Sequence, residues 1–348
     1  MKSMKSIALG AALLCGLNAC TSSQPDPGTE GDGNFTIGPD YTDAPELTVR
    51  PGVPAGTVHQ FTMNSADSKI YPGLKPVTNA AYLRRDSSGN RLALSALDGT
   101  TNAPYTRRVW VYVPSQYVAG TPAPFLVVQD GGSYAARLTN ILDNMIADHR
   151  LPALIAIMIN SGGGDAQGSE RGLEYDTVSG QYAGFIETEV LPRISRDYQI
   201  TFTRDPDGRA AMGGSSGGAA AFTMGWFHPE LYHRILTYSG TFVNQQSPLN
   251  PASPHGAWEY HEHLIAQSAP KPLRIWMQVG ENDNHSNDPE NTYHNWVLAN
   301  QRMAAALQAR GYHYQFVFCK GAGHVDGKAV AQTLPGALAW LWRGYPVR

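Results

Sequence analysis

Residues 210–222 read AAMGGSSGGAAAF, two adjacent serines set among four glycines, after an apolar step and before a run of alanines. A serine hydroxyl attacks a carbonyl only when a base stands beside it and the backbone lifts it clear of its neighbours. The pattern G-x-S-x-G does the lifting at a sharp strand-to-helix turn, because side chains two residues to either side would collide with the strand or the helix. Two frames fit: Gly213 and Gly217 about Ser215, or Gly214 and Gly218 about Ser216. The apolar strand ends at Met212, and such turns often continue Ser-x-Gly-Gly, which selects Ser215. Ser216 would then offer a backbone N–H to an oxyanion. The same glycines suit phosphate poorly, since no lysine follows them as in a P-loop and the spacing is not G-x-G-x-x-G.

A nucleophile of this kind needs a base and an acid to orient it. His324, in the glycine-bordered GAGHVDG after the last apolar run, is placed to be the base. Asp283, in GENDN beyond an earlier apolar run, is the candidate acid, with Glu281, Asp288 and Asp326 as neighbours of the same type. A second oxyanion N–H is expected from Gly131 or Gly132, which follow FLVVQ. The acidic loop lacks EF-hand spacing. HEH at 261–263, with His255, His285 and His294, lacks the H-E-x-x-H spacing, so polar loop packing is the better reading and no metal or cofactor is expected. RGLEYDT (171–177) gathers Arg171, Glu174, Tyr175 and Asp176. It is either helix-cap and ion-pair architecture or a rim in which Arg171, Glu174 and Tyr175 touch substrate.

These residues need a frame that brings them together. Apolar runs at 125–129, 153–160, 209–212, 234–238, 274–279 and 315–319 read as buried strands. Segments 138–149, 183–195, 217–227, 293–309 and 329–342 show helical spacing. The alternation predicts an α/β fold, a mostly parallel sheet with helices on both faces. RRVWVYVP (107–114) would join as an antiparallel neighbour. Ser215, Asp283, His324 and the Gly131–Gly132 loop each follow a strand, and open α/β sheets hold their ligands beyond the carboxyl ends of the strands.

The chain has 348 residues and a formal net charge of −3, with no basic run, which argues against a nucleic-acid partner. Lys2 and Lys5 precede an apolar stretch that ends Leu17-Asn18-Ala19-Cys20, and the pattern resembles the bacterial lipoprotein cleavage box. On that reading residues 1–19 are a signal peptide, lipidated Cys20 is the sole tie to a membrane, and the destination is the periplasm or outer membrane. Thr21, rather than aspartate, follows that cysteine and favours the outer membrane. Only Cys319 then stays in the folded part, so no internal disulfide forms. Residues 20–45 read as a flexible tether, 46–348 as one domain, and 74–105 as an insertion.

The blocks YPG, RRVWVYVP, FLVVQDGGSYA, RGLEYDT, MGGSSGGAAAF, PHGAWEYHEHLI, VGENDN and GYHYQFVFCKGAGHVDG together resemble the esterase D / enterochelin-esterase-like family of α/β-hydrolases. That family is similar to the carbohydrate esterases that remove feruloyl or acetyl groups. The resemblance implies an α/β-hydrolase fold, a metal-free serine mechanism with Ser215, Asp283 and His324 as triad, and Arg171 and Glu174 lining the site. The substrate it implies is a small-molecule or oligosaccharide ester, a feruloyl- or acetyl-decorated carbohydrate. A siderophore trilactone is the alternative, and a non-catalytic glycan-binding lipoprotein on the same scaffold is a third.

Overall fold

The computed structural model describes residues 27–76, 100–164, 169–247 and 250–347. The expected signal peptide, Cys20 and the middle of the expected insertion lie outside the described residues.

Eleven strands run along the described chain: β1 (Gly33–Ile37), β2 (Thr57–Asn64), β3 (Leu74–Pro76), β4 (Thr100–Asn102), β5 (Thr106–Val113), β6 (Phe125–Gln129), β7 (Ile155–Ile159), β8 (Arg209–Gly214), β9 (Arg234–Tyr238), β10 (Arg274–Gly280) and β11 (His313–Cys319). Nine form one sheet in the order β1-β11-β10-β9-β8-β6-β7-β5-β2. The ladder is parallel from β1 to β7, and β5 and β2 are each antiparallel to the preceding strand. Strands β6 to β10 are buried at every residue. A parallel strand covered on both faces has no side for polar residues, hence runs such as FLVVQ and IAIMI.

The helices that provide the cover are α1 (Ala135–Ala147), α2 (Glu170–Tyr175), α3 (Gln181–Phe185), α4 (Leu191–Tyr198), α5 (Ser216–Phe227), α6 (Ile265–Gln267), α7 (Trp296–Ala309) and α8 (Gly327–Leu341). Leu138, Ile141 and Leu142 of α1 pack with Leu334, Leu338 and Leu341 of α8 over one face. Helices α2 to α7 fill the other through residues such as Tyr182, Phe185, Phe222 and Met303. Helix α5 is buried from Ser216 to Trp226 and has no polar side. An alanine- and glycine-rich helix suits that place, because it lies in the core and close to the sheet.

The sheet order reverses at β6, whose neighbours are β7 on one side and β8 on the other. The chain therefore leaves β6 in one direction and later returns to its opposite edge, which opens a crevice above the ends of β6 and β8. Asp130 follows β6, and Ser215 follows β8.

One boundary differs from the sequence reading. Residues 20–45 were expected to be a tether, yet Gly33–Ile37 pair in parallel with Gln315–Cys319, and His313 Nδ1 lies 2.8 Å from Asp32 Oδ2. The folded unit thus begins before Glu46. The strand is a half-exposed edge, so its few side chains need no apolar run. The expected insertion has an ordered base: β3 and β4 pair antiparallel, and Ala103 N–H donates to Gly73 C=O at 2.6 Å.

Candidate active site

Strand β8 ends at Gly214, and the backbone at Ser215 turns into α5 with φ 58° and ψ −129°. A side chain in that conformation is strained, and the surroundings hold it there. Ser215 N–H donates to Tyr238 C=O at 2.8 Å, and its carbonyl accepts from Gly218 at 2.9 Å and Thr241 at 3.1 Å. The glycines are sterically required. A Cβ on Gly213 would lie 2.4 Å from the Gly217 carbonyl carbon, and one on Gly217 would press on Gln129 at 3.0 Å.

Two further loops carry the partners. Those after β10 and β11 are laced together: Asn282 N–H donates to Ala322 C=O at 2.8 Å, and Gly321 N–H to a Glu281 carboxylate oxygen at 2.8 Å. Gly280 has no room for a side chain, because a Cβ would meet Gly323 O at 2.4 Å. Val325 N–H donates to Ser239 Oγ at 2.9 Å, which ties the His324 loop to the end of β9. The result is a line of contacts: Asp283 Oδ1 to His324 Nδ1 at 2.5 Å, and His324 Nε2 to Ser215 Oγ at 2.8 Å. The Asp283 side chain is fully buried, and Asn284 N–H fixes its Oδ1 at 2.7 Å. Such a line can take a proton from a hydroxyl while the buried acid holds the ring and its tautomer.

Each competitor for a role is engaged elsewhere. Ser216 is buried, and its hydroxyl faces Gln245 Nε2 at 3.4 Å, away from His324. Glu281 holds Gly321, Asp288 pairs with His285 Nδ1 at 2.9 Å, and Asp326 caps α8 by accepting from Lys328 and Ala329. Ser216 opens α5, so its N–H belongs to the first turn, where donors have no intrahelical acceptor. Gly131 is buried, and a Cβ there would lie 2.3 Å from the Met158 carbonyl carbon. Gly132 N–H donates to Asn160 Oδ1 at 3.0 Å, so an oxyanion at that donor has to displace the amide.

Ser215 and His324 open onto a cleft of about 530 Å³ whose walls include Tyr134, Arg171, Gln245, His285, His294 and Trp296. Arg171 lies in this wall, paired with Asp130 Oδ2 at 2.7 Å and set 5.5 Å above the Tyr175 ring. The ion pair holds the guanidinium well above its ordinary pKa against the pull of burial.

Glu174 and Tyr175, expected at the substrate rim, are not in the wall. Glu174 is buried and holds Arg107 of β5 in a bidentate pair at 2.7 and 2.8 Å while accepting Gly162 N–H at 3.0 Å. Tyr175 is fully buried, and its hydroxyl accepts Asp130 N–H at 3.3 Å. Both brace the wall from behind, which is the ion-pair architecture that was the other reading of RGLEYDT. Conversely, the sequence reading did not single out Asp130, Trp296 or Gln245. Asp130 had a visible signal, an acid directly after a buried strand. Trp296 and Gln245 had none. The histidines around HEH are dispersed: His285 and His294 reach the cleft, whereas His261 is buried with Nε2 3.1 Å from Phe242 C=O. Burial lowers the His261 pKa to about 3.

Residues 101–341 match the Esterase family model. The chain belongs to the Esterase family. It is a carboxylic-ester hydrolase of α/β-hydrolase fold. An iron(III) enterobactin esterase of Dickeya dadantii is 30% identical over 253 residues, covering 68% of this chain and 52% of the relative. The enterobactin esterase of Shigella flexneri, solved in the presence of enterobactin, superposes with a TM-score of 0.52 at 20% identity over 68% of this chain and 55% of that one. A ferulic acid esterase superposes with a TM-score of 0.57 at 17% identity over 84% of this chain and 99% of its own. This chain therefore spans about half the length of the enterobactin esterases it matches, and nearly all of the ferulic acid esterase.

Proposed function

We propose that the protein is a serine esterase that removes feruloyl or acetyl groups from carbohydrates. Ser215 Oγ attacks the ester carbonyl as His324 takes its proton, and Asp283 steadies the imidazolium. The N–H of Ser216 and the Gly131–Gly132 turn receive the oxyanion. His324 returns the proton to the leaving alcohol, and water then attacks the acyl-enzyme by the same route. The observation that carries this reading is the unbroken Asp283–His324–Ser215 line at the floor of a cleft. A glycan-binding scaffold without activity has no use for it.

For the substrate, the flat wall of Trp296 with His285 stacked on it, centroids 5.7 Å apart, suits an aryl acyl group. The Asp130–Arg171 pair beside it suits a hydroxylated alcohol. Similarity over almost the whole length of a ferulic acid esterase supports the same choice. The siderophore reading is favoured by the Dickeya relative, but Arg171 is the sole Lys or Arg of the cleft wall among the described residues and is already paired, which suits a polyanionic catecholate poorly.

Release of product from methyl ferulate, acetylated xylan and a catecholate siderophore separates the readings. Turnover of the first two is expected, and turnover of the siderophore alone refutes the proposal. Ser215→Ala should lose at least a thousandfold in kcat while Ser216→Ala keeps most of it; the reverse would move the nucleophile. We further propose export and lipidation at Cys20, read from the basic head and the LNAC box. Palmitate labelling that survives Cys20→Ala would overturn that.

A further inference from the structure

Outside the cleft, the dispersal of the histidines leaves His255 and His263 facing two carboxylates, Glu259 and Glu262. We infer that His255, Glu259 and Glu262 bind a divalent transition-metal ion, with zinc the best fit, behind the wall of the cleft, and that His263 lies at its edge.

Distance is the first argument. His255 Nδ1 lies 3.5 Å from Glu259 Oε1 and 3.5 Å from Glu262 Oε2, and His263 Nε2 lies 3.7 Å from an oxygen of each glutamate. Hydrogen bonds between such groups close to about 2.7–3.2 Å. Ligand atoms around a tetrahedral zinc, with bonds of about 2.0–2.1 Å, stand about 3.3–3.5 Å apart. The donors of His255, Glu259 and Glu262 all lie within 4.8 Å of one another. The side-chain contacts are longer than ordinary hydrogen bonds, and those of His255 with the two glutamates are close to the spacing of shared ligation.

Charge is the second. Glu259 is only 5% exposed, and among the described residues no lysine or arginine pairs with it or with Glu262. The nearby cation, Arg302, lies over Trp258 and is paired with Glu290. Two carboxylates balance one divalent ion, and an imidazole donor selects zinc and its neighbours over calcium or magnesium. The frame is already set. Glu259 stands at the N-terminal cap of the π-helical turn Tyr260–Leu264, which carries Glu262 and His263, and His255 N–H fixes Glu259 Oε1 at 3.1 Å.

The ion would act on the cleft from behind. His255 stacks on Tyr293 with centroids 3.9 Å apart, Trp258 meets the same ring edge-on, and Tyr293 C=O accepts Asn244 N–H at 2.8 Å. The next residues, His294 and Trp296, are in the cleft wall. Occupancy would hold that wall in place without entering the reaction.

The full chain, stripped with a chelator and desalted, is titrated with zinc chloride by calorimetry, with bound zinc counted by mass spectrometry. One equivalent should bind with micromolar or tighter affinity, at least a hundredfold tighter than calcium, and raise the melting temperature by several degrees at a hundredfold excess over Kd. The His255→Ala/Glu262→Gln variant should bind at least a hundredfold more weakly and still hydrolyse ester, whereas His285→Ala/His294→Ala should bind zinc as the parent does. Should the first variant fail to fold, Glu262→Gln alone, on a 25% exposed side chain, should weaken binding at least tenfold. Absence of binding below about 100 µM, or binding that follows the cleft histidines instead, overturns the proposal and leaves a network of ion pairs.

Discussion

Replacing Asp176 with asparagine should make the protein more stable above neutral pH and change it much less in acid. Asp176 follows α2 and is 3% exposed, and its Oδ2 accepts from Gln245 Nε2 at 3.1 Å. Burial, opposed by a hydrogen bond from Ser216 and by the charge of Arg171, lifts its carboxyl from 3.8 to about 7. Between those values the folded protein holds a proton that the unfolded chain has released. Native protons then outnumber unfolded ones, so stability falls as pH rises through this window and levels off above about 7. A gap of roughly three units, at about 1.4 kcal/mol each, sets a ceiling of about 4 kcal/mol. Asparagine keeps the shape and an acceptor oxygen for Gln245 but has no charge to desolvate. Urea unfolding of both proteins, by linear extrapolation at half-unit steps from pH 4.5 to 8.5, isolates this residue from every other titration. The variant's advantage should be about 1 kcal/mol at pH 4.5, grow with pH, and reach about 2–4 kcal/mol at pH 8. A difference that does not change with pH, or a variant less stable at pH 8, refutes the account of Asp176 as a buried carboxyl opposed by its surroundings.

Glu174→Gln should do the opposite on the same helix: burial also pushes the Glu174 carboxyl up, to about 7, but here the change leaves the Arg107 guanidinium, 2% exposed, without its bidentate carboxylate, and that loss dominates, at about 3–5 kcal/mol in urea unfolding at pH 8 with KM little changed in the folded enzyme. Asp283→Asn should lower kcat roughly 10³- to 10⁴-fold in an ester assay and leave KM within a few fold, because the base loses its tautomer while the cleft wall stays intact. Gly280→Ala places a Cβ 2.4 Å from Gly323 O and must part the Asp283 and His324 loops; a displacement near 1 Å there should lower kcat about a hundredfold, measured on enzyme whose circular dichroism matches the parent.

Much of the frame could be read from the chain. The six runs expected as buried strands are β6 to β11, and the antiparallel neighbour RRVWVYVP is β5. β6 to β10 are constrained by the same fact, that a strand covered on both faces must be apolar throughout, whereas β5 and β11 show partly exposed side chains between buried ones. The strands that escaped are those the core does not dictate. β1 shows intermediate or exposed side chains along its whole length, and β2 buries only Met63, so neither carries a run or a clean alternation. Their places follow from backbone pairing with β11 and β5, and backbone groups have no signature in side-chain order.

The site divides along a similar line, between residues whose local backbone declares them and residues defined by a distant partner. Ser215 sits in a turn that only its glycines permit, so the sequence alone points to it. His324 and Asp283 stand where two strands end, and the alternation of elements brings those ends together. Arg171 and Glu174 have no such local mark. They lie three residues apart on one short helix and were read alike, but Arg171 meets Asp130 at the mouth of the cleft and Glu174 meets Arg107 in the core. Their partners come from the end of β6 and from β5, separated in the chain by 41 and 67 residues. A charge on this helix therefore comes to line the cleft or to sit in the core according to the opposite charge that the strand order delivers to it. The reversal of the sheet at β6 is what places Asp130, and with it Arg171, in the wall of the cleft beside Ser215.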